Sequence, residues 1–286
     1  MKLLLKFLHP SNIGSYIFTL LNYLLLVFLL TFFWELPYES ACFGVGVLYL
    51  FCFLIAISPA GEFILRVSTG CKKIQDQSVY NRIMPLYKEV LLAAQKEFPY
   101  IRKPYKLYIK NDNTINAFAV GRNTICIHYG LLQLDDASIK GILAHEIGHH
   151  ANMDTTLLLV IAVTNMITNF VIVCAQLLVN FLAAICAAIL TRRNSLWYYV
   201  LRILLVVPIL LLTKFWQLLC NVLVAYSSRK NEYEADEVAV TIGYGYELKY
   251  ALSILDGSKV NYSWFEALFT SHPETHKRIA HIDALI

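Results

Sequence analysis

The chain has 286 residues, of which 58% are hydrophobic and 15% are charged, and it carries a formal net charge of +4. In an ordinary soluble domain, charged residues make up roughly a quarter of the chain. The composition therefore excludes an ordinary soluble domain and indicates a multi-pass membrane protein. The charge is mild and not gathered in a basic run, which argues against nucleic-acid binding, and seven scattered cysteines without a CxxC pair argue against a disulfide framework.

Four apolar runs set the predicted membrane organisation. They cover residues 13–34, 41–58, 156–190 and 196 to about 227. A helix crosses a bilayer with about 20 apolar residues, so four crossings are expected. The predicted divisions are an N-terminal transmembrane hairpin (1–58), a first part of a catalytic domain (59–155), a second transmembrane hairpin (156–227) and a second part of the catalytic domain (228–286).

The charges around the apolar runs predict the orientation in the membrane. Basic residues precede the first run and follow the second, whereas acidic residues lie between the two runs. By the positive-inside rule, both termini and the soluble middle are cytoplasmic. Arg192 and Arg193, in the loop between the third and fourth runs, conflict with this orientation. Either that hairpin does not fully cross, or the statistical rule fails at this short loop; we favour the second interpretation.

The soluble middle contains recognisable helices and strands. Residues 76–98 are amphipathic, with Pro85 as a point of kinking or interruption. Alternating or β-branched patterns predict strands at residues 105–110, 115–120 and 124–128. Asp135 or Asp136 can cap the following helix. The C-terminal segment is helical in pattern, with breaks at Gly243, Gly245 and Gly257.

A histidine pair on the helix after residue 136 predicts a metal site. His145 and His149 are four residues apart, so they share one face of the helix, and Glu146 follows the first of them. A catalytic zinc ion needs a third protein ligand and leaves its fourth position to water. Past the fourth apolar run, Glu232 can supply that ligand. Asp236 shares its helical face and can accept the outer N–H of a ligand histidine.

These motifs, with Asn116-Ala-Phe-Ala119 upstream and His272-Pro-Glu-Thr-His-Lys-Arg278 downstream, resemble the HtpX-type membrane zinc metallopeptidases, relatives of the CAAX prenyl proteases and Oma1-like peptidases. The resemblance covers the whole chain in order. It implies a mainly α membrane protein with an α+β, zincin-like catalytic domain. About four transmembrane helices and a small β-sheet edge beside the HExxH helix are expected, with one Zn²⁺ per chain.

The resemblance also implies a reaction, the hydrolysis of peptide bonds. A bound zinc ion lowers the pKa of its water from about 15.7 toward about 7, and Glu146 would act as the general base. His272 and Arg278 are candidates for a second donor to the oxyanion. An extended substrate would lie against an edge strand formed by Asn116, Ala117, Phe118 and Ala119.

The expected partners are the lipid bilayer and protein or peptide substrates. The resemblance implies misfolded membrane proteins as substrates, a role in membrane-protein quality control and a location in the bacterial cell membrane. The sequence leaves the oligomeric state open.

Two alternatives differ in class. An intramembrane zinc protease also uses HExxH, and Leu255-Asp256-Gly257 is similar to the LDG motif of that group, but polar residues flank the HExxH helix here. A catalytically silent scaffold of the same fold would have no need of Glu146. Among the remaining histidines, His128 and His150 are expected to be structural or partly exposed rather than ligands.

Polar residues within the apolar runs have two interpretations. Pairs four residues apart occur in the third run, Asn165 with Asn169 and Gln176 with Asn180. They indicate either hydrogen bonding between helices or a substrate path. In the fourth run, Lys214 and Asn221 fall on the face of Glu232 if the helix is continuous.

Overall fold

The computed structural model describes residues 10–190, 196–256 and 274–286. The helices in these ranges are α1 (Ile13–Trp34), α2 (Tyr38–Ile57), α3 (Pro59–Ser68), α4 (Gln77–Glu97), α5 (Asp136–Asn152), α6 (Asp154–Leu190), α7 (Leu196–Thr241), α8 (Gly245–Asp256) and α9 (Thr275–Leu285). The strands are β1 (Lys72–Lys73), β2 (Lys106–Lys110), β3 (Ala117–Val120) and β4 (Thr124–His128). The fold is therefore mainly helical with a small sheet, as predicted.

Four helical segments are long and apolar enough to cross a membrane, which agrees with the predicted number. They are Pro10–Trp34, Tyr38–Ile57, Ile167–Ile189 and Leu196–Thr241. Large apolar side chains such as Phe28, Phe181 and Leu212 are exposed on them. Without a bilayer this surface would be unfavourable in water, so it fits contact with lipid.

Helix α7 is longer than one membrane crossing requires. Its 46 residues extend about 69 Å at about 1.5 Å per residue, against a hydrocarbon thickness of about 30 Å. The fourth apolar run ends near residue 227, but the helix continues without a break to Thr241. Apolar burial explains this continuation, because Ala235 and Ala239 pack inside the protein. One continuous helix thus joins the membrane to the predicted metal site.

The strands form a mixed sheet in the order β1-β2-β4-β3. Strand β2 pairs with β4 in parallel, and β3 pairs with β4 in antiparallel orientation. The backbone N–H of His128 also donates to the carbonyl of Asn116 at 2.9 Å, which extends the pairing by one residue. Strand β3 lies at the edge of the sheet, as predicted. The sequence did not predict β1, which has only two residues.

Helix α4 does not break at its proline. It runs unbroken from Gln77 to Glu97 with Pro85 inside. Of the two alternatives at Pro85, a kink or an interruption, the interruption is therefore wrong. Asp76 caps the start of the helix, because its carboxylate accepts the backbone N–H of Ser78 at 2.8 Å. Burial of Ile83 and Tyr87 on either side of the proline holds the two halves against the core, which offsets the lost hydrogen bond.

Glycines let the HExxH helix approach its neighbours. A Cβ atom at Gly148 would lie 2.8 Å from the backbone oxygen of Ala235 in α7. A Cβ atom at Gly141 would collide with the backbone nitrogen of Leu248 in α8. Helix α5 begins as predicted, since the carboxylate of Asp135 accepts the backbone N–H of Ser138 at 3.1 Å. The close approach brings the two motif-bearing helices into contact.

One polar pair of the third run forms the hydrogen bond expected between helices. The side-chain amide of Gln176 donates to Thr213 Oγ1 at 2.7 Å, joining α6 to α7. Asn180 instead donates to the carbonyl of Gln176 within α6. The side chain of Asn165 lies outside the described residues. Lys214 is exposed on α7.

Candidate metal centre

The structure brings the three predicted ligands to one point. Glu232 Oε2 lies 3.4 Å from His145 Nε2, and Glu232 Oε1 lies 3.4 Å from His149 Nε2. Ligand atoms of the three side chains all lie within 4.8 Å of one another. A tetrahedron with metal bonds of about 2.0–2.1 Å has edges of about 3.3–3.4 Å. The spacing and the His-His-Glu donor set therefore fit a zinc ion.

Each predicted ligand histidine has a carboxylate next to its Nδ1 atom. His145 Nδ1 lies 2.8 Å from Asp236 Oδ1, and His149 Nδ1 lies 3.0 Å from Asp154 Oδ2. A carboxylate at Nδ1 fixes the proton there and leaves Nε2 free to bind a metal. The position of Asp236 agrees with the sequence-based interpretation. Asp154 was not identified from the sequence.

The geometry that brings Asp154 to His149 begins at the end of α5. Met153 adopts a left-handed conformation with φ of 64° and ends the helix. The chain then enters α6 directly at Asp154, the first residue of that helix. A non-glycine residue in the left-handed region is uncommon. A hydrophobic pattern does not reveal such a turn, but an aspartate five residues after the motif could have suggested a partner.

Arg278, on α9, contacts two of the carboxylates. Its Nε and Nη2 lie 2.8 and 2.6 Å from the two oxygens of Asp236, and its Nη1 lies 2.9 Å from Glu232 Oε2. The residue is only 8% exposed. The buried guanidinium balances the negative charge of Asp236 and Glu232. Its planar set of N–H donors holds both carboxylates in place. His272, the other candidate oxyanion donor, lies outside the described residues.

Glu146 is buried next to the histidines, and it does not belong to the group of ligand atoms. Burial raises the pKa of its carboxyl above the ordinary value, opposed by the nearby histidines and by a hydrogen bond from the backbone N–H of Ala119. A buried carboxylate with a raised pKa beside a metal site is a suitable general base.

The site opens into a cavity of about 880 Å³. Its walls include the three predicted ligands, Glu146 and Arg278. All four residues predicted to bind an extended substrate also line it, namely Asn116, Ala117, Phe118 and Ala119. Residues of the membrane helices also line it, among them Phe18, Ile161 and Asn231. On the side away from β4, β3 pairs with no other strand in the described chain.

The neighbouring histidines have structural partners. His150 Nε2 donates to the backbone oxygen of Thr124 at 2.8 Å, and its ring stacks on Tyr105 with centroids 4.4 Å apart. Burial lowers the pKa of His150 to about 4. The sequence suggested a partly exposed side chain here, but the residue is 7% exposed because the sheet covers it. His128 Nδ1 lies 2.7 Å from Thr114 Oγ1.

Comparison with known proteins identifies a peptidase family. The profile of peptidase family M48 matches residues 84–286. The "Protease HtpX homolog" of Chlorobium phaeobacteroides is 28% identical over 269 residues, covering 84% of this chain and 87% of the relative. That of Bacillus licheniformis is 24% identical over 286 residues, covering 86% and 88%.

Among solved structures, a crystal structure of S. mikatae Ste24p has a similar fold, with a TM-score of 0.54 at 18% identity. The similarity covers 98% of this chain and 65% of the length of that protein. These findings confirm the resemblance drawn from the motifs. The chain therefore belongs to peptidase family M48 and is similar to its HtpX-type membrane metallopeptidases.

Proposed function

We propose that this protein is a zinc-dependent endopeptidase of the membrane, with His145, His149 and Glu232 as the ligands of one Zn²⁺. The observation that carries the proposal is the meeting of these three side chains beside the buried Glu146 at the wall of an 880 Å³ cavity. A zinc ion held there would polarise a peptide carbonyl and make water nucleophilic near neutral pH.

The chain's own groups supply the proton transfers and the binding. Glu146 takes a proton from the attacking water and gives it to the leaving amine. The backbone N–H of Ala119 also lowers the pKa of Glu146, so strand β3 lies close to the base. Asp236 and Asp154 orient the ligand histidines through their Nδ1 atoms. Arg278 holds Asp236 and Glu232, so we assign it a positioning role rather than contact with the oxyanion.

The substrate is an extended segment that pairs with the open edge of β3. Main-chain hydrogen bonding to Asn116–Ala119 depends little on the side chains of the substrate, which suits unfolded or misfolded proteins. The cavity also contains Phe18 and Ile161 from the membrane helices, which supports membrane proteins as substrates and a role in quality control. We assign residues 59–155 and 228–286 to the catalytic domain, cytoplasmic in a bacterial cell membrane, with the hairpins 1–58 and 156–227 as its anchor.

The alternative as an intramembrane protease is less well supported. Helix α5, which carries HExxH, is not among the four segments of the described chain that could cross a membrane. The second alternative, a catalytically silent scaffold, does not account for the buried carboxylate of Glu146 beside the proposed ligands.

The test compares wild type with Glu146→Gln, both purified in detergent with zinc. Bound zinc is measured by elemental analysis, and cleavage of unfolded casein and of the protein itself is followed by gel. We expect equal zinc content and cleavage by wild type alone, because the substitution leaves the ligands intact. Equal cleavage by both proteins would indicate a contaminating protease. Zinc binding without cleavage of any substrate would favour the scaffold.

A further inference from the structure

Helix α3 turns its apolar side chains away from the rest of the protein. Phe63, Ile64 and Val67 are 58%, 60% and 63% exposed, and Ala60 is exposed as well. The spacing of positions 60, 63, 64 and 67 places them on one face of the helix. A single exposed apolar side chain is ordinary on a protein surface, but a whole exposed apolar helix face marks contact with another molecule or with lipid.

The opposite face of α3 carries charged side chains, and it packs on the sheet. Glu62 is 7% exposed, and its Oε1 accepts a hydrogen bond from Thr124 Oγ1 at 2.6 Å. The Arg66 guanidinium lies over the ring of Tyr108, 5.0 Å from the ring centroid. In a helix on the surface of a soluble domain, the apolar face packs on the core and the polar face meets water. Helix α3 has the reverse arrangement, which indicates an apolar environment outside it.

Helix α3 begins at the end of the second predicted membrane crossing. Helix α2 has 20 residues, which span about 30 Å, roughly the thickness of the hydrocarbon layer. Its last residue, Ile57, therefore lies near the boundary of that layer. Ser58 is extended and separates the two helices, so the chain turns there. A Cβ atom at Gly61 would collide with the backbone oxygen of Ile55, which shows that α3 packs closely against the end of α2.

A basic side chain lies at the same level as α3. Arg122, in the turn between β3 and β4, is exposed, and its Nη1 donates to the backbone oxygen of Ile57 at 3.3 Å. The basic residues around α1 and α2 predict that this end of α2 is cytoplasmic, and the cytoplasmic leaflet contains acidic phospholipids. An arginine at this boundary can contact lipid phosphates, as basic residues do on helices that lie in a membrane surface.

We propose that α3 lies along the cytoplasmic surface of the membrane, with Phe63, Ile64 and Val67 inserted at the boundary between headgroups and acyl chains. Arg122 contacts the phosphates of acidic phospholipids. The bilayer is thus the partner of this face, continuous with the lipid around α2. Because Glu62 joins α3 to the start of β4 and Arg122 lies in the turn after β3, the membrane surface fixes the position of the proposed substrate strand. The lipid contact itself does not depend on the peptidase function.

Photo-cross-linking tests this contact in the full-length protein, reconstituted into vesicles of phosphatidylethanolamine and phosphatidylglycerol. A diazirine amino acid replaces Ile64, and mass spectrometry identifies what it binds after irradiation. The matched control is the same probe at Leu92, which is 66% exposed on α4, and the reference for lipid contact is Phe51 on α2, which is 60% exposed. We expect lipid adducts at positions 64 and 51 and none above background at position 92.

Three outcomes at position 64 would overturn the proposal. Adducts with a second copy or with another segment of the chain would mean that protein covers this face. Adducts with water alone would mean that the face is in contact with solvent. Equal yields of lipid at positions 64 and 92 would mean that the lipid reaches the probe without a specific contact.

The part of Arg122 is tested by the ratio of phosphatidylglycerol to phosphatidylethanolamine among the adducts at position 64. One basic residue at an acidic membrane surface raises the local share of acidic lipid by up to about fivefold. We therefore expect the ratio to be higher by up to this factor with Arg122 than in Arg122→Gln, and Arg122→Lys should keep most of the excess. An unchanged ratio in Arg122→Gln would contradict the phosphate contact.

Discussion

Asp154 Oδ2 lies 3.0 Å from His149 Nδ1, which gives His149 the same kind of carboxylate partner that Asp236 gives His145. Asp154 is only 2% exposed and is the first residue of α6, the helix that leads into the third membrane crossing. Both histidines proposed as zinc ligands are thus oriented by carboxylates from helices that lead into the predicted membrane crossings. Their geometry depends on how those helices pack.

The first prediction concerns Asp154→Asn. The asparagine keeps the shape of the side chain but removes the charge that fixes the His149 proton at Nδ1. We expect zinc affinity to fall by about 10–100-fold, the usual effect of losing such a partner. Competition with a zinc chelator measures this change. The control is Asp136→Asn in the first turn of α5, where the carboxylate is exposed and pairs with Arg82. Equal zinc affinity in Asp154→Asn and wild type would contradict the assignment.

The contrast between Asp154 and the histidine pair shows how far sequence reasoning reaches. His145 and His149 could be predicted because helical periodicity alone puts them on one face. Asp236 followed from the same periodicity, once Glu232 was chosen. Asp154 depends on a left-handed turn at Met153, which composition and spacing do not encode.

Long-range contacts show the same limit. The strands and the four membrane helices follow from local patterns and run length. The burial of Arg278 between Asp236 and Glu232 depends on how α9 packs on α7, more than 40 residues earlier in the chain. A motif can suggest that such an arginine matters, but only the fold identifies its partners.

The second prediction concerns Arg278→Lys. Arginine contacts Asp236 through two nitrogens and Glu232 through a third, whereas a lysine presents one ammonium that cannot bridge both carboxylates in this way. Removing one partner of a buried ion pair costs about 3–5 kcal/mol, and Arg278→Lys should lose part of this because lysine keeps the positive charge. We expect lower thermal stability in detergent and weaker zinc binding.

The neighbouring substitution Lys277→Ala is the control, because Lys277 is exposed and pairs only with Glu274 among the contacts of the described chain. It should leave both measurements near the wild-type values. A loss of kcat in Arg278→Lys with unchanged zinc affinity and stability would instead favour the role as oxyanion donor.

The third prediction concerns the contact between α5 and α7. In Gly148→Ala, the new Cβ would lie 2.8 Å from the backbone oxygen of Ala235. Rotation of a side chain cannot relieve this clash, because both atoms are fixed by the backbone. Overpacking of this kind costs about 1–3 kcal/mol. Since α5 carries the histidines and α7 carries Glu232, we expect zinc affinity to fall together with thermal stability.

The matched control is Gly44→Ala in α2, where a Cβ would meet no atom within 4 Å. Alanine is also the better helix former, so stability there should be unchanged or slightly higher. If Gly148→Ala bound zinc as tightly as wild type, the helix spacing would not govern the ligand geometry.

The last prediction concerns acid stability and His150. Burial lowers the pKa of this imidazole from about 6.5 to about 4 in the folded protein. Between these values the unfolded chain binds a proton at this position and the folded chain does not. The free energy of unfolding should therefore fall as the pH is lowered from about 6.5 to about 4, by up to about 3 kcal/mol from this residue.

His150→Gln removes the titration and keeps an N–H donor for the backbone oxygen of Thr124. We expect it to flatten the dependence of thermal stability on pH in this window. The measurement uses zinc-free protein in detergent, so that loss of metal at low pH does not contribute, and it compares the slopes of the two proteins. The variant should be less stable than wild type at pH 7.5, because the stacking of the ring on Tyr105 is lost. Identical slopes would mean that His150 is protonated in the folded protein, and its bond to Thr124 would then not depend on a neutral ring.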